Sequence, residues 1–382
     1  MTEKDTTITA IGLGSVGSQV FMNFARMGYG KWYLVDNDIL LPHNLARHSL
    51  LSCDIGYSKT ERLSLNANKL FRINFTQSIP TNILHSKNEL LDEAIKNSNV
   101  LLDMSASIPV ARKLSIDIES SAKRISVFLS PSGRDGIILC EDGDRKMRID
   151  FLEMIYYRYL TENEELHNHL QRKDERLRIG NSCRDVSLAM AQDFVAIHSG
   201  IFTRAIRTCI SSNEAMIKIW RINNDLGVTA YTCPCSECSI SKIGEWTIIT
   251  NNELLKKMSA QRISKFPVET GGVLIGSHDM QRKVLYIVDT IPSPIDSVEW
   301  PTVYIRGCRG LEREIKNVSD VTANNLYYIG EWHSHPEGFS CLPSSDDKKA
   351  FLWLTDLMGD YGFPALMIIA GERFGFYLGE MK

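Results

Sequence analysis

The chain of 382 residues lacks the features that mark several special classes of protein. It has no apolar run of about 18 residues, as a membrane-spanning helix requires, and its start lacks the basic-then-apolar order of a signal peptide. The net charge is -3, so no overall basic character would attract nucleic acid. No internal repeat or low-complexity segment stands out. We therefore expect a globular cytoplasmic protein without a membrane or nucleic-acid partner.

Length and cysteine content indicate how many domains the chain has and how its thiols are used. A length of 382 residues with 43% hydrophobic residues is sufficient for two packed cores. Nine cysteines in a chain without a secretion signal indicate reduced thiols, used in catalysis or metal binding rather than in disulfides. We expect a boundary near residues 239–245, which gives one domain over residues 1–240 and another over residues 245–382.

A His-x-His pair lies in the sequence EWHSHP at residues 331–336. The residues before the pair read as a strand, and side chains alternate along a strand, so His333 and His335 point to the same side. Asp347 lies in the first turn of a helix predicted over residues 346–357, where its carboxylate can return to a metal. Two imidazoles, one carboxylate and one open position make a hydrolytic zinc site.

A carboxylate suited to proton transfer lies upstream of this pair. Glu269 enters a glycine-rich apolar strand, residues 267–276. A zinc hydrolase needs a carboxylate that is not a ligand, because the attacking water must give up a proton. An isolated His-x-His pair is more often a surface or core pair, but here four separated elements of one pattern agree.

Together these elements resemble the JAB/JAMM metalloprotease family over roughly residues 245–382. The resemblance implies an α/β, cytidine-deaminase-like fold. The spacing from His335 to Ser344 is one residue longer than in the family, which leaves Asp346 as an alternative to Asp347. The roles that the resemblance implies are zinc binding by His333, His335 and Asp347, general-base catalysis by Glu269, and stabilisation of the tetrahedral oxyanion by Ser344.

A glycine-rich turn lies near the start of the chain, in the sequence GLGSVG at residues 12–17. Residues 6–11 and residues 31–35 read as buried strands, with a helical run between them. In such a βαβ unit the glycines let the backbone approach a phosphate at the helix N-terminus. An acid 19 residues after the last glycine has the spacing of a carboxylate that binds ribose hydroxyls. The predicted nucleotide contacts are Gly12, Gly14, Gly17 and Asp36.

The residues that follow favour adenylation over NAD binding, which is the default for such a turn. The sequence continues with DND at residues 36–38, NLAR at residues 44–47 and GYSK at residues 56–59. This order resembles the ubiquitin-activating and ThiF-like adenylating family, in which ATP adenylates the C-terminal glycine of a ubiquitin-like protein. The resemblance implies a Rossmann-like domain that uses ATP with Mg²⁺ and homodimerises. The further nucleotide-site residues are Asp38, Asn44, Arg47, Lys59 and Asp103.

Charge explains why such a site needs cations. A carboxylate and a triphosphate repel each other, so Arg47 and Lys59 must neutralise the phosphates. One position departs from the family pattern: a second acid that helps bind Mg²⁺ usually follows Asp103 by three residues, and here Ala106 stands there. Either another acid holds the metal, with Asp103 or Asp38 as candidates, or adenylation is slow or absent.

Cys183 is a candidate for a thioester with the activated carrier. It precedes an amphipathic helix predicted over residues 186–211, and a helix N-terminus stabilises a thiolate. The competing interpretation is an ordinary buried thiol. The charged stretch of residues 161–179 reads as a crossover segment, in which we expect His167 and His169 to be solvated.

Three further cysteines lie within six residues, at the predicted end of the first domain. Cys233, Cys235 and Cys238 would be ligands of a structural zinc ion, with Cys209 as a candidate fourth ligand. Redox-active or unliganded thiols in a linker are the competing interpretation.

The two resemblances imply one enzyme with two activities on the tail of a ubiquitin-like protein. The JAB/JAMM domain would cut a precursor or an isopeptide conjugate, and the ThiF-like domain would activate the freed carboxylate. A conjugating enzyme is an implied partner, and bacterial antiphage defence is the implied pathway. One alternative is processing of a sulfur carrier for cofactor or metabolite biosynthesis. Another is a non-catalytic module that binds a ubiquitin-like tail.

Overall fold

A computed structural model of the chain describes residues 5–85, 87–171, 176–178, 186–188 and 190–381. The chain forms two compact units, of which the first comprises Met1–Glu153 and His169–Cys235 and the second Met154–Asn168 and Ser236–Lys382. The sequence predicted residues 154–168 in the first domain, but they pack within the second unit. There Arg158 forms an ion pair with Glu253, with 3.1 Å between nitrogen and oxygen.

The first unit contains most of the helices and an eight-stranded sheet. Its strands are β1 (Thr7–Ile11), β2 (Lys31–Val35), β3 (Thr76–Ile79), β4 (Val100–Asp103), β5 (Lys123–Leu129), β6 (Asp135–Cys140), β7 (Arg176–Arg178), β8 (Val186–Leu188), β9 (Met216–Ile222) and β10 (Val228–Cys233). Its helices are α1 (Ser15–Arg26), α2 (Lys59–Phe71), α3 (Glu89–Asn97), α4 (Ile108–Arg112), α5 (Ile149–Glu162), which continues into the second unit, and α6 (Gln192–Ser211).

The strand order of the large sheet is β10-β9-β6-β5-β4-β1-β2-β3. Strands β3, β2, β1, β4 and β5 are parallel, and the remaining pairs are antiparallel. The order reverses at β1, where Ile11 pairs with both Val35 and Asp103. Ligands of open α/β sheets bind at such a reversal, beyond the carboxyl ends of the strands. The segments after β1, β2 and β4 therefore meet at one edge.

Aromatic packing fixes the first helix against this sheet. The Trp32 ring on β2 lies 5.5 Å from that of Phe21 and 5.2 Å from that of Phe24, both on α1. All three side chains are almost fully buried. Burial of aromatic rings in such a cluster contributes strongly to stability, so the cluster holds the second half of α1 against β2.

Helix α6 begins at Gln192, so the predicted helix start at residue 186 is wrong. Residues 186–188 instead form β8, which pairs with β7. Pairing between these two neighbouring strands overrides the helical pattern here. Cys183 itself lies outside the described residues, and its role stays a prediction. Within the described residues, no helix combines the length and the apolar character needed to cross a membrane.

The second unit contains a seven-stranded sheet in the order β11-β12-β14-β13-β17-β18-β19. Its strands are β11 (Cys238–Ile243), β12 (Trp246–Asn251), β13 (Gly271–Asp279), β14 (Val284–Pro292), β15 (Val298–Trp300), β16 (Val303–Ile305), β17 (Tyr327–Ser334), β18 (Ala365–Ala370) and β19 (Phe374–Gly379). Its own helices are α7 (Asn252–Lys265), α8 (Leu311–Val321) and α9 (Ser345–Gly359). Strands β15 and β16 form a separate two-stranded hairpin.

The core of the second unit orients the strand that carries the histidines. Trp332 on β17 is fully buried, and its indole N–H donates a hydrogen bond to the hydroxyl of Thr290, with 2.7 Å between the two atoms. Because strand side chains alternate, a buried Trp332 directs His333 to the opposite face. On β13, Gly271 pairs with His333, which places the start of β13 beside the end of β17.

A buried charged cluster in the first unit was not expected from the sequence. Arg221 binds both carboxylate oxygens of Asp135, at 2.7 and 2.9 Å, and Nδ1 of His169 donates to Asp135 at 2.8 Å. Burial alone would raise the pKa of Asp135, but these hydrogen bonds lower it to about 2. His169 is buried, so the prediction that it is solvated is wrong.

We predict that Arg221→Met destabilises the first unit by about 3–5 kcal/mol, because the change leaves the buried Asp135 carboxylate without its bidentate partner. Hydrogen exchange of the β6 and β9 amides, measured in the native state, would report the loss. The double variant Arg221→Met with Asp135→Leu should recover much of it, since no buried charge then remains. Unchanged protection in Arg221→Met would contradict a stabilising role for the pair.

Candidate metal centre and nucleotide site

The metal-ligand candidates are brought together by the end of β17 and the start of α9. His333 lies on β17 and His335 just beyond it, where its backbone N–H donates to the Ala370 carbonyl at 3.0 Å. Helix α9 begins after Ser344, whose hydroxyl oxygen accepts from the Asp347 N–H, while the Asp347 carboxylate accepts from the Ser344 N–H at 2.7 Å. This capping box fixes the carboxylate of Asp347 in the first turn.

The distances fit one zinc ion. Nε2 of His333 lies 3.0 Å from Oδ1 of Asp347, and Nε2 of His335 lies 3.2 Å from Oδ2. Two ligands of a tetrahedral zinc ion, each about 2.0 Å from the metal, are roughly 3.3 Å apart. Across the described part of the chain, no other group of three His, Cys, Asp or Glu side chains brings its ligand atoms within 4.8 Å of one another.

The hydrogen bonding and protonation of His333, His335 and Asp347 also suit the binding of a cation. Nε2 of His333 is buried and makes no hydrogen bond of good geometry, despite its nearness to Asp347. Burial would raise the pKa of Asp347, but the adjacent side chains of His333 and His335 hold it well below its usual range. Nδ1 of His335 donates to the Ser340 carbonyl at 2.7 Å, so Nε2 is left to face the metal position.

The structure separates the two candidate aspartates. The side chain of Asp346 is 86% exposed and pairs with Lys349 at 2.8 Å, whereas that of Asp347 is 16% exposed and contacts both histidines. This geometry favours Asp347 over Asp346 as the candidate third ligand.

Glu269 lies two residues before the start of β13, on the side where β13 meets the end of β17. Its backbone N–H donates to the Trp300 carbonyl at 2.9 Å, and its side chain is mostly buried. Burial raises the pKa of the Glu269 carboxyl. The electrostatic interaction with His333 and His335 lowers this pKa, but by less than burial raises it. A carboxylate with a raised pKa beside the metal position is suited to accept a proton from water.

The glycine turn of the first unit is closely packed on one side and open on the other. Gly12 has a φ of +84°, and a Cβ there would lie 2.5 Å from the Cα of Ser105. A Cβ at Gly17 would clash with the Gly12 carbonyl, whereas one at Gly14 would meet nothing within 4 Å. Gly12 and Gly17 thus permit the turn itself, and the open face at Gly14 is where a phosphate can approach.

His48 is a part of this site that the sequence reasoning missed. The Leu13 N–H donates to Asp36 at 2.7 Å, and Nε2 of His48 donates to the Leu13 carbonyl at 2.8 Å. The Leu50 N–H donates to Nδ1 of His48, and burial lowers the pKa of His48 to about 4. A neutral His48 therefore holds the glycine turn. In the sequence, the position of His48 directly after Arg47 of the NLAR motif was the signal that could have identified it.

The predicted cations lie in the same unit as the glycine turn. Lys59 opens α2 and binds Asp38 at 2.8 Å; its own side chain is buried, whereas that of Asp38 is 58% exposed. Arg47 donates to the Met190 carbonyl at 3.1 Å. The Asn44 side chain accepts from the Leu41 N–H, which caps the 3₁₀ turn Pro42–Ala46.

The carboxylate of Asp103 points into the interior of the first unit and is buried. One oxygen accepts from the Ser105 hydroxyl at 2.6 Å, and the other accepts from the Ser126 hydroxyl at 3.2 Å. Burial raises the pKa of Asp103, and the hydrogen bonds from Ser105 and Ser126 only partly offset this rise. Of the two candidates for Mg²⁺, Asp38 is the exposed one.

The cysteines of the CPCSEC sequence are divided between the units. Cys233 and Cys235 end the first unit, and Cys238 begins β11 in the second. The structural zinc site therefore stays a prediction. Cys209 is fully buried on α6, with its sulfur 3.9 Å from that of Met216, and its role as a fourth ligand stays a prediction too.

These features define a class: a parallel α/β nucleotide-binding unit joined to a unit with a metallohydrolase-type centre. The chain matches the ThiF family model over residues 4–201, which is more than half of its length. It matches the model of prokaryotic homologs of the JAB domain over residues 251–377. The chain thus belongs to the ThiF family and carries a prokaryotic JAB domain after the ThiF region.

Two curated relatives agree with this assignment. The "CD-NTase/cGAS isopeptidase" of Enterobacter hormaechei is 34% identical over 136 residues, which are 35% of this chain and 72% of that protein. The "ATP-dependent ubiquitin transferase-like protein Cap2" of Escherichia coli is 28% identical over 151 residues, 37% of this chain and 25% of that protein. The chain thus spans about a quarter of the length of that Cap2 relative.

Among solved structures, the chain resembles E. coli MccB with ATP at 14% identity, with 61% of this chain and 66% of that chain covered. The TM-score is 0.41. The family matches confirm the predicted fold class, a Rossmann-like ThiF domain followed by an α/β JAB domain. They also confirm an enzyme that combines ThiF-type adenylation with a JAB-type isopeptidase.

We predict that Asp347→Asn weakens zinc binding by at least about tenfold, because an amide is a poorer and uncharged ligand. Zinc per chain after dialysis, measured by atomic absorption, checks this. Asp346→Asn is the matched control and should keep the metal content of the unsubstituted chain. Loss of zinc from the control alone would move the third ligand to Asp346.

Proposed function

We propose that this chain acts twice on one ubiquitin-like protein with a C-terminal glycine. The JAB-type unit would cut a precursor or an isopeptide conjugate, and the ThiF-type unit would adenylate the carboxylate that the cut exposes. The convergence of His333, His335 and Asp347 beside Glu269 carries the first half of this proposal. The relatives named as an isopeptidase and a ubiquitin transferase-like protein support the substrate class.

Each residue of the metal centre has a separate task in the cleavage. Zinc, when bound, would supply the Lewis acidity that activates water for attack on a carbonyl. Glu269 takes the proton from the attacking water and returns it to the leaving amine. The Ser344 oxygen already accepts from the Asp347 N–H, so the Ser344 hydroxyl donates its own proton to the developing oxyanion.

The ThiF-type unit would form an acyl adenylate. The tail carboxylate attacks the α-phosphorus of ATP, an oxygen–phosphorus bond forms, and pyrophosphate leaves. Lys59 would exchange its bond to Asp38 for a bond to phosphate, and Arg47 would neutralise further charge. Asp38, once released from Lys59, is the exposed carboxylate that would bind Mg²⁺.

The wider setting is part of the proposal. We expect homodimerisation through the ThiF-type unit, transfer to a conjugating enzyme, and a place in bacterial antiphage defence. A thioester at Cys183 and a structural zinc ion at the CPCSEC sequence stay predictions. Sulfur-carrier activation and tail binding without catalysis are the alternatives, and the names of the relatives favour neither.

We predict that Glu269→Gln lowers the rate of cleavage by about 10²–10⁴-fold, because the amide cannot accept the proton of water. The substrate is a ubiquitin-like protein ending in Gly-Gly, fused through a peptide bond to a reporter, and gel electrophoresis measures the cut. Bound zinc should be unchanged. Cleavage at the original rate, with zinc still bound, would remove Glu269 from the role of general base.

We predict that Lys59→Met lowers ATP–pyrophosphate exchange by at least about 100-fold, because the phosphates lose a buried cation. Exchange is measured with labelled pyrophosphate and the ubiquitin-like protein. Lys69→Met, an exposed position near the far end of the same helix, is the matched control and should keep full exchange. If the unsubstituted chain binds the tail but shows no exchange, the tail-binding alternative is supported instead.

A further inference from the structure

The loop between β17 and α9, residues 335–344, contains one metal ligand and leads directly into the helix that carries another. It contains neither helix nor strand. A loop without regular structure cannot hold an imidazole in one orientation by itself. The contacts that fix this loop must therefore come from its neighbours in the second unit.

Arg262, in the last turn of α7, holds the start of the loop. Its Nε donates to the His335 carbonyl and its Nη2 donates to the Pro336 carbonyl, both at 2.9 Å. The guanidinium also lies 4.8 Å from the centre of the Phe266 ring. The planar fork of arginine matches two neighbouring acceptors, which a single ammonium group does not.

Tyr377 on β19 holds the far side of the loop. Its hydroxyl donates to the Cys341 carbonyl at 2.7 Å. The backbone there lies against Gly371, where a Cβ would come within 2.7 Å of the Cys341 nitrogen. The Ser340 carbonyl, which accepts from Nδ1 of His335, lies between these two attachments.

We propose that Arg262 and Tyr377 are positioning residues for the metal ligand His335. Neither provides a ligand atom; they hold the loop so that the Ser340 carbonyl faces Nδ1. That carbonyl can only accept a hydrogen bond, so it keeps the proton on Nδ1 and leaves Nε2 for the metal. This inference rests on the proposed zinc peptidase function and assigns to that site two residues outside its sequence motif.

The test measures zinc affinity in the full chain by competition with a chelator. We expect Arg262→Gln and Tyr377→Phe each to weaken zinc binding by about 10–100-fold, as loss of partners beyond the ligands typically does. Arg262→Lys should recover only part of the affinity, because lysine cannot bridge both carbonyls. Tyr377→Phe removes a single oxygen, so a folding defect is not expected to obscure its result.

Two variants serve as matched controls. Lys256→Gln removes an exposed cation from the same helix, and Tyr361→Phe removes a hydroxyl from an exposed tyrosine. Both should bind zinc as the unsubstituted chain does. A second readout is the visible absorption of the Co²⁺-substituted protein, which reports ligand geometry and should change in the Arg262 and Tyr377 variants only.

The outcomes separate the two proposals. Unchanged zinc affinity and Co²⁺ spectra in both Arg262→Gln and Tyr377→Phe would overturn the positioning role and leave the peptidase proposal intact. Failure of the unsubstituted chain to bind zinc more tightly than His333→Ala would overturn both. Weaker binding in these variants and not in the controls supports the inference.

Discussion

The register between β13 and β17 is the constraint on which the metal centre depends. Gly271 pairs with His333, so Glu269, two residues before that pair, comes to lie beside the histidines. Trp332 locks the register, because its indole is buried and bonded to Thr290. A slip of one residue would turn the histidines into the core and the indole out of it.

The two units build their sites in different ways. In the first unit, parallel strands end at one edge, so Gly12, Asp36 and Asp103 meet because the strands share a direction. In the second unit, an antiparallel pair, a loop and a capped helix must all be in place before Asp347 reaches the histidines. The metal centre therefore depends on more separate contacts than the glycine turn does.

Local patterns identified the candidate residues of both sites, because the glycine turn and the His-x-His pair are short segments whose geometry follows from chain direction and side-chain alternation. Predictions that depended on distant partners were wrong. His169 lies in a polar stretch, yet Asp135 on β6 draws it into the interior. The start of α6 was misplaced for a different reason, because residues 186–188 form a local strand pair with β7.

The sequence by itself determined the two families, the order of the two units and the chemical groups at each site, since these depend on residue types and short spacings. Only the tertiary structure favoured Asp347 over Asp346 as the candidate ligand, showed that Asp103 faces inward, and placed His48 and Arg262 among the residues that hold the two sites. Each of these outcomes depends on how side chains approach one another in the folded chain, which the spacing of residues does not specify.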